Sequence, residues 1–147
     1  MLGLQYVSFV ELLKQSDIIS LHCPLDESTR YLIGHEQFNV IKKGCILINT
    51  SRGPVIDTKE MIAALENFTL GGACLDVYEN ERGIFFEDHR KSVLTDVLYD
   101  KLHSLPNVLI TGHQGFLTQE ALAGIARVTV QNLDCWQSSR PSPNELF

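Results

Sequence analysis

The chain has 147 residues, of which 44% are hydrophobic and 20% charged, a balance that excludes disorder and fits one domain burying roughly two thirds of its unfolded surface. A net charge of −6 without any Lys/Arg cluster excludes nucleic-acid binding, which needs a basic stripe to displace counterions. No run approaches the roughly 18 apolar residues of a membrane span, and the start lacks the basic-then-apolar order of a signal peptide, so a cytoplasmic protein off the membrane is expected.

Ser8-Phe9-Val10-Glu11 is a capping-box pattern that predicts a helix from Ser8 to Gln15. An apolar run, Ile18 to Leu21, then reads as a strand leading into His22-Cys23-Pro24 and a polar loop to Arg30. A short helix over Glu36 to Ile41 is expected to close on Gly44 as a left-handed C-cap, ahead of a second strand at Cys45 to Ile48. Asp57-Thr58-Lys59-Glu60 repeats the box, opening a helix to Asn67 on which Met61, Ile62 and Leu65 make an apolar edge. Gly71-Gly72 opens a third strand, Ala73 to Leu75, which runs into Asp76. Residues 79–91 are charged and aromatic and suit a surface excursion. Val93 to Ser104 reads as helix, Pro106-Asn107 as a turn, and Val108 to Thr111 as a fourth strand before Gly112-His113. A long helix from Thr118 carries Leu122, Ile125, Leu133 and Trp136 at helical spacing, and the tail from Ser138 reads as loose.

Near-continuous apolar strands alternating with helices imply an α/β fold: a parallel sheet, covered on both faces, with β-α-β-α-β-α-β order and right-handed crossovers. In such sheets ligands bind at the carboxyl ends of the strands, where this chain collects polar residues. Arg52 sits where the second strand ends and Gly53-Pro54 turns the chain. It is either an exposed turn arginine or a planar fork that grips a carboxylate through two hydrogen bonds. His113, at the end of the fourth strand, is either a structural histidine or a general acid and base for an alcohol or carbonyl oxygen. Glu81 is a solvated glutamate unless its loop folds over His113, where it would fix the ring's tautomer. Asp76 either caps a loop or contacts a ligand. Cys23, Cys45, Cys74 and Cys135 have no paired metal-ligand spacing, so no metal site is expected and they read as small hydrophobes in a reducing compartment. Phe85-Phe86 reads as core packing rather than a lid.

Four segments in order, Ser16 to Leu25, Ile48 to Gly53, Leu75 to Glu81 and Thr111 to Thr118, together resemble the D-isomer-specific 2-hydroxyacid dehydrogenases, with the NAD-dependent D-lactate dehydrogenases the nearest subgroup. Ile84 to His89 and Pro143 to Leu146 look like that subgroup as well. The resemblance implies an oxidoreductase with a Rossmann-type sheet and NAD as cofactor. It implies a small 2-keto or 2-hydroxy acid as substrate, pyruvate or D-lactate foremost, and a homo-oligomer, a dimer, as assembly. Arg52 would bind the substrate carboxylate, His113 would transfer the proton at the C2 oxygen, and Glu81 would pair with His113. Cys23, Pro24, Thr29, Thr50, Ser51, Arg52 and Asp76 would line the cofactor cleft. Gly115 stands where that subgroup usually has alanine.

A complete dinucleotide-binding domain also needs a first strand, a G-x-G-x-x-G turn and an acidic residue about 20 positions on. Gly3 is the only glycine ahead of Gly34, so that half is not encoded here. The chain is expected to be a C-terminal fragment: residues 1–117 the second half of the NAD-binding domain, and 118–147 a helix and tail that return to the substrate domain. Activity of the chain alone is then doubtful. The alternatives are a non-catalytic NAD-binding or self-associating fragment, or a phosphoglycerate or hydroxypyruvate dehydrogenase relative. The strand at Ile18 to Leu21 would become an open sheet edge.

Overall fold

A computed structural model describes residues 3–86, 88 and 96–145, and the chain divides into two compact units, one ending at His113 and one beginning at Gln114. In the first unit, helix α1 (Phe9–Gln15) starts on the expected capping box: the Ser8 hydroxyl accepts from the Glu11 N–H, and Glu11 reaches back to the Ser8 N–H at 3.0 Å. Strand β1 (Ile18–Leu21) follows, then helix α2 (His35–Val40) and strand β2 (Cys45–Asn49). Gly44 does adopt the left-handed region, at φ +82°, but as part of the turn into β2, since α2 already ends at Ile41 in extended backbone.

A 3-10 turn (Gly53–Val55) leads to helix α3 (Thr58–Glu66) and strand β3 (Leu70–Leu75). The Asp57 carboxylate caps α3 by accepting from the Glu60 N–H at 3.1 Å. The other half of the expected box is absent, because the Glu60 carboxylate turns instead to His35 Nδ1, 2.8 Å away. Helix α4 (Val97–Ser104) and strand β4 (Val108–Ile110) complete the unit. The helix expected from Val93 thus begins at Val97 with Asp96 as its cap; Val93 to Thr95, like Glu87, His89 to Lys91 and Leu146, lies outside the described residues.

The four strands form one parallel sheet in the order β1-β2-β3-β4, with Ile18 beside Ile46 and Ile48 beside Cys74. This is the α/β, Rossmann-type half sheet expected from the strand pattern. Coverage on both faces is corrected. Sequential right-handed crossovers place α2, α3 and α4 on one side of the sheet, and strand burial alternates accordingly. Ile19, Leu21, Leu47, Leu70, Ala73 and Leu75 are buried in the core, whereas Ile18, Ile46 and Leu109 on the opposite face are exposed.

In the second unit, helix α5 (Gln119–Gln137) is capped by the Thr118 hydroxyl and has no buried residue. The tail beyond it is not loose throughout: Asn132 Oδ1 accepts from the Ser142 hydroxyl at 2.8 Å and from the Asn144 side-chain amide at 2.9 Å.

Candidate active site

Three adjacent strand ends carry the candidate residues. At the end of β2, Asn49 is 1% exposed, and its carboxamide is used from both sides. Oδ1 accepts from the Ser51 N–H at 3.1 Å, while Nδ2 donates to the Arg52 carbonyl at 3.0 Å. This Asx-type turn, in which a short amide side chain closes the loop that follows it, presents Arg52 at the surface. The Arg52 guanidinium donates to the Ser51 carbonyl at 2.6 Å, and no carboxylate among the described residues pairs with it.

At the end of β3, Asp76 is tied to β2 through its own N–H, which donates to the Asn49 carbonyl at 2.9 Å, and its carboxylate accepts from the Thr111 hydroxyl at 2.5 Å. The chain then turns so that Glu81 Oε1 accepts from the Tyr78 N–H at 3.0 Å while Oε2 lies 2.9 Å from His113 Nδ1. His113 itself has φ +57°, directly after Gly112 at φ +66°. Two successive left-handed residues at the end of β4 are a sparsely populated arrangement for a histidine, of the kind that concentrates at functional sites. The His113 N–H is held by the Asp76 carbonyl.

The Arg52 turn and the Glu81 loop are in contact through backbone. Gly53 packs directly against the Tyr78 carbonyl, so Arg52, Tyr78, Glu81 and His113 form one mechanically continuous set. The loop is anchored further by Glu79, which accepts from the Tyr31 hydroxyl and the Thr58 N–H. The Tyr78 hydroxyl donates to Asp96 at 2.8 Å, and burial, followed by that carboxylate, pushes its pKa well up. Phe85 and Phe86 separate in role: Phe85 is 7% exposed and packs edge-on to Tyr99, while Phe86 is 74% exposed with its ring 6.1 Å from that of His113.

A cleft of about 620 Å³ opens at the carboxyl ends of β1 and β2, lined by His22, Cys23, Pro24, Thr50, Ser51 and Arg52 among others. That volume is in the range of small-molecule sites, and the position is where open parallel sheets take their ligands. Five of the expected cofactor residues meet in it. Thr29 does not line it; its hydroxyl donates to the Pro24 carbonyl at 2.7 Å and shapes the loop from behind. Asp76 lies one strand further on, beside Thr111. Core packing, expected of the Phe85-Phe86 pair, holds for Phe85 alone, and Asn49 and Thr111 were given no role from the sequence. Only Asn49 carried a readable signal, an asparagine directly before a turn. Among the described residues no group of three His, Cys, Asp or Glu side chains could hold a metal ion, and no helix is long and apolar enough to cross a membrane.

Residues 1–115 match the NAD-binding domain of the D-isomer specific 2-hydroxyacid dehydrogenases. The chain belongs to this family. It is 46% identical over 145 residues to the D-lactate dehydrogenase of Escherichia coli, covering 99% of this chain and 44% of that protein. Likewise it is 46% identical over 142 residues to 2-hydroxyacid dehydrogenase A of Aspergillus oryzae, covering 97% and 41%. Among solved structures, the pyruvate reductase of Chlamydomonas reinhardtii matches at a TM-score of 0.91 with 47% identity over 97% of this chain and 44% of that one. The NAD+ complex of D-lactate dehydrogenase from Lactobacillus jensenii matches at 0.90 with 32% identity, over 97% and 43%. The chain therefore spans less than half the length of these 2-hydroxyacid dehydrogenases. NAD is the cofactor of the domain it matches.

Proposed function

We propose that this chain carries the proton-transfer and carboxylate-binding residues of an NAD-dependent D-2-hydroxyacid dehydrogenase acting between pyruvate and D-lactate. The observation that carries the reading is the Glu81–His113 pair at 2.9 Å, mechanically joined through Tyr78 and Gly53 to the turn that presents Arg52. Residues 1–117 act as the second half of the NAD-binding domain, and 118–147 as a C-terminal helix and tail.

The nicotinamide, when bound, supplies or takes up the hydride. The chain's own residues handle the proton and the carboxylate. With Nδ1 directed at the Glu81 carboxylate, the proton on that nitrogen is fixed, and Nε2 is the nitrogen left to give a proton to, or take one from, the C2 oxygen. The Arg52 guanidinium offers paired N–H donors that match a planar carboxylate, which a lysine ammonium does not. Asp76, steadied by Thr111, lies between the two at the neighbouring strand end and serves the nicotinamide side of the cleft. Cys23, Pro24, Thr50 and Ser51 wall the remainder.

The test is pyruvate-dependent NADH oxidation, measured on this chain or on a longer protein that carries it. His113→Gln is expected to lower kcat by about 10²–10⁴-fold, the usual worth of a positioned acid–base group, with NADH affinity little changed. Undiminished turnover in that variant would remove His113 from the chemistry.

A further inference from the structure

We infer that Asn49 is a positioning residue for Arg52, acting through its carboxamide and requiring both the donor and the acceptor of that group; the inference rests on Arg52 binding the substrate carboxylate. Among the described residues of the first unit, Asn49 and Thr58 are the buried polar ones, and at 1% exposure Asn49 has almost no access to solvent. A buried amide left unsatisfied is destabilising, and here both ends are spent on the turn that presents the guanidinium: the Ser51 N–H and the Arg52 carbonyl. The Asn49 main-chain carbonyl meanwhile holds the Asp76 N–H. One residue therefore sets the height of two strand ends at once.

The chemistry singles out an amide. A carboxylate of the same shape keeps the acceptor for Ser51 but faces the Arg52 carbonyl with a second oxygen, and two acceptors repel. A neutral carboxylic acid restores the donor, since its O–H can point at that carbonyl. The isosteric variant Asn49→Asp is thus a switch that acid should turn back on. The charged and titratable groups around this position are Arg52 on the turn itself, Asp76 at the end of β3, and Tyr78 and Glu79 on the following loop, two residues that line the same small space as Asn49; the Tyr78 hydroxyl is turned to Asp96 and the Glu79 carboxylate to Tyr31 and Thr58. Burial and the carboxylates of Asp76 and Glu79 oppose ionisation of a carboxyl introduced here, and the Arg52 cation favours it, so the switch is read by titrating from neutral to acid pH.

The experiment follows two readouts on the 147-residue chain: the backbone amide resonances of Ser51 and Arg52, and calorimetric affinity for pyruvate in the presence of NAD+, with which pyruvate cannot be reduced. At neutral pH, Asn49→Asp and Asn49→Ala are both expected to displace the two resonances and to weaken pyruvate at least tenfold. On acidification Asn49→Asp should move back toward the wild-type resonances and affinity, while Asn49→Ala should not, a difference that a merely structural contribution of the side chain would not produce. Wild-type behaviour of Asn49→Asp at neutral pH, or an equal response of both variants to acid, overturns the inference. Hydrogen exchange of the unsubstituted chain gives a reading that no variant's folding can spoil: slow exchange at the Ser51 amide is required, and fast exchange rules the bridge out. Arg52→Gln separates the two levels of argument. If it leaves pyruvate affinity intact, the carboxylate role of Arg52 falls, while the resonances of the Asn49 variants still judge the turn.

Discussion

At Gly53 there is no room for a single added carbon. A Cβ built there would lie 1.9 Å from the Tyr78 carbonyl oxygen and 2.4 Å from the Glu79 nitrogen, both backbone atoms that cannot swing aside. The requirement is one of space rather than of backbone angle. Gly124, in the middle of α5, is the opposite case, with nothing within 4 Å of a built Cβ. Gly53→Ala is therefore expected to lose roughly 1–3 kcal/mol, the usual cost of overpacking, and to weaken pyruvate binding, because the contact joins the Arg52 turn to the Glu81 loop. Gly124→Ala is expected to gain up to about 1 kcal/mol of helix propensity. Thermal unfolding followed by circular dichroism compares them directly, and a Gly53→Ala midpoint equal to wild type would show that the two loops are not locked together. The same pair of residues marks what a sequence does and does not disclose: Gly53-Pro54 reads as a turn, but the absence of room for a Cβ there comes from the long-range approach of Tyr78.

The elements were readable where the signal was local and displaced where it was not. Ser8 and Glu11 form both halves of their capping box because nothing competes for Glu11. At α3 the same pattern forms half a box, since His35, brought in by α2, takes the Glu60 carboxylate. The continuous apolar strands pointed to a parallel sheet, which they form, but could not say that all crossovers fall on one side, because an apolar residue facing the core and one facing outward are spelled alike. Strand-end residues Arg52, Asp76 and His113 were readable by position; Asn49 and Thr111, which steady them, act through contacts that appear only when strands are aligned. Helix α4 shows the energetic weight of such local chemistry. Burial alone would push the Asp96 carboxyl up, but hydrogen bonds from the Tyr99 N–H, the Tyr78 hydroxyl and the Leu98 N–H outweigh it and hold the carboxyl below its ordinary value. A group depressed in the folded state adds stability that is complete above its unfolded pKa, about 4 for Asp, and is lost as pH falls through the folded value. Asp96→Ala is expected to cost about 0.5–2 kcal/mol at neutral pH, as for other helix caps. Its stability should also fall less steeply than wild type between pH 4 and lower values, as denaturant midpoints measured across that window would show; parallel curves would exclude Asp96 as the source.

Across the whole first unit, the one-sided placement of the helices leaves a sheet face whose side chains line up from strand to strand. Register sets Ser20 beside Ile48, Ile48 beside Cys74 and Cys74 beside Leu109, with Ile18 beside Ile46 in the next row. Ile18 and Leu109 are each 59% exposed and Ile46 is 38% exposed, so the row is apolar, flat and accessible. A surface of this kind is a site for adventitious apolar molecules and, along the edge of β1 that pairs with no strand among the described residues, for strand pairing. The protein's net charge of −6 favours solubility, but no acidic residue lies within these rows to interrupt them. The native chain is therefore expected to bind the dye ANS while keeping a cooperative thermal transition and near-ultraviolet circular dichroism, which distinguishes an open native face from a loosely packed globule. Substituting Ile18, Ile46 and Leu109 together by threonine places a β-branched side chain suited to a strand at each position and removes the apolar surface. Dye fluorescence should fall clearly while each substitution changes stability by no more than about 0.5 kcal/mol, as expected for surface positions away from the core. Unchanged fluorescence would mean that this face is covered in solution, and a large loss of stability would mean that its side chains are packed against something rather than open to water.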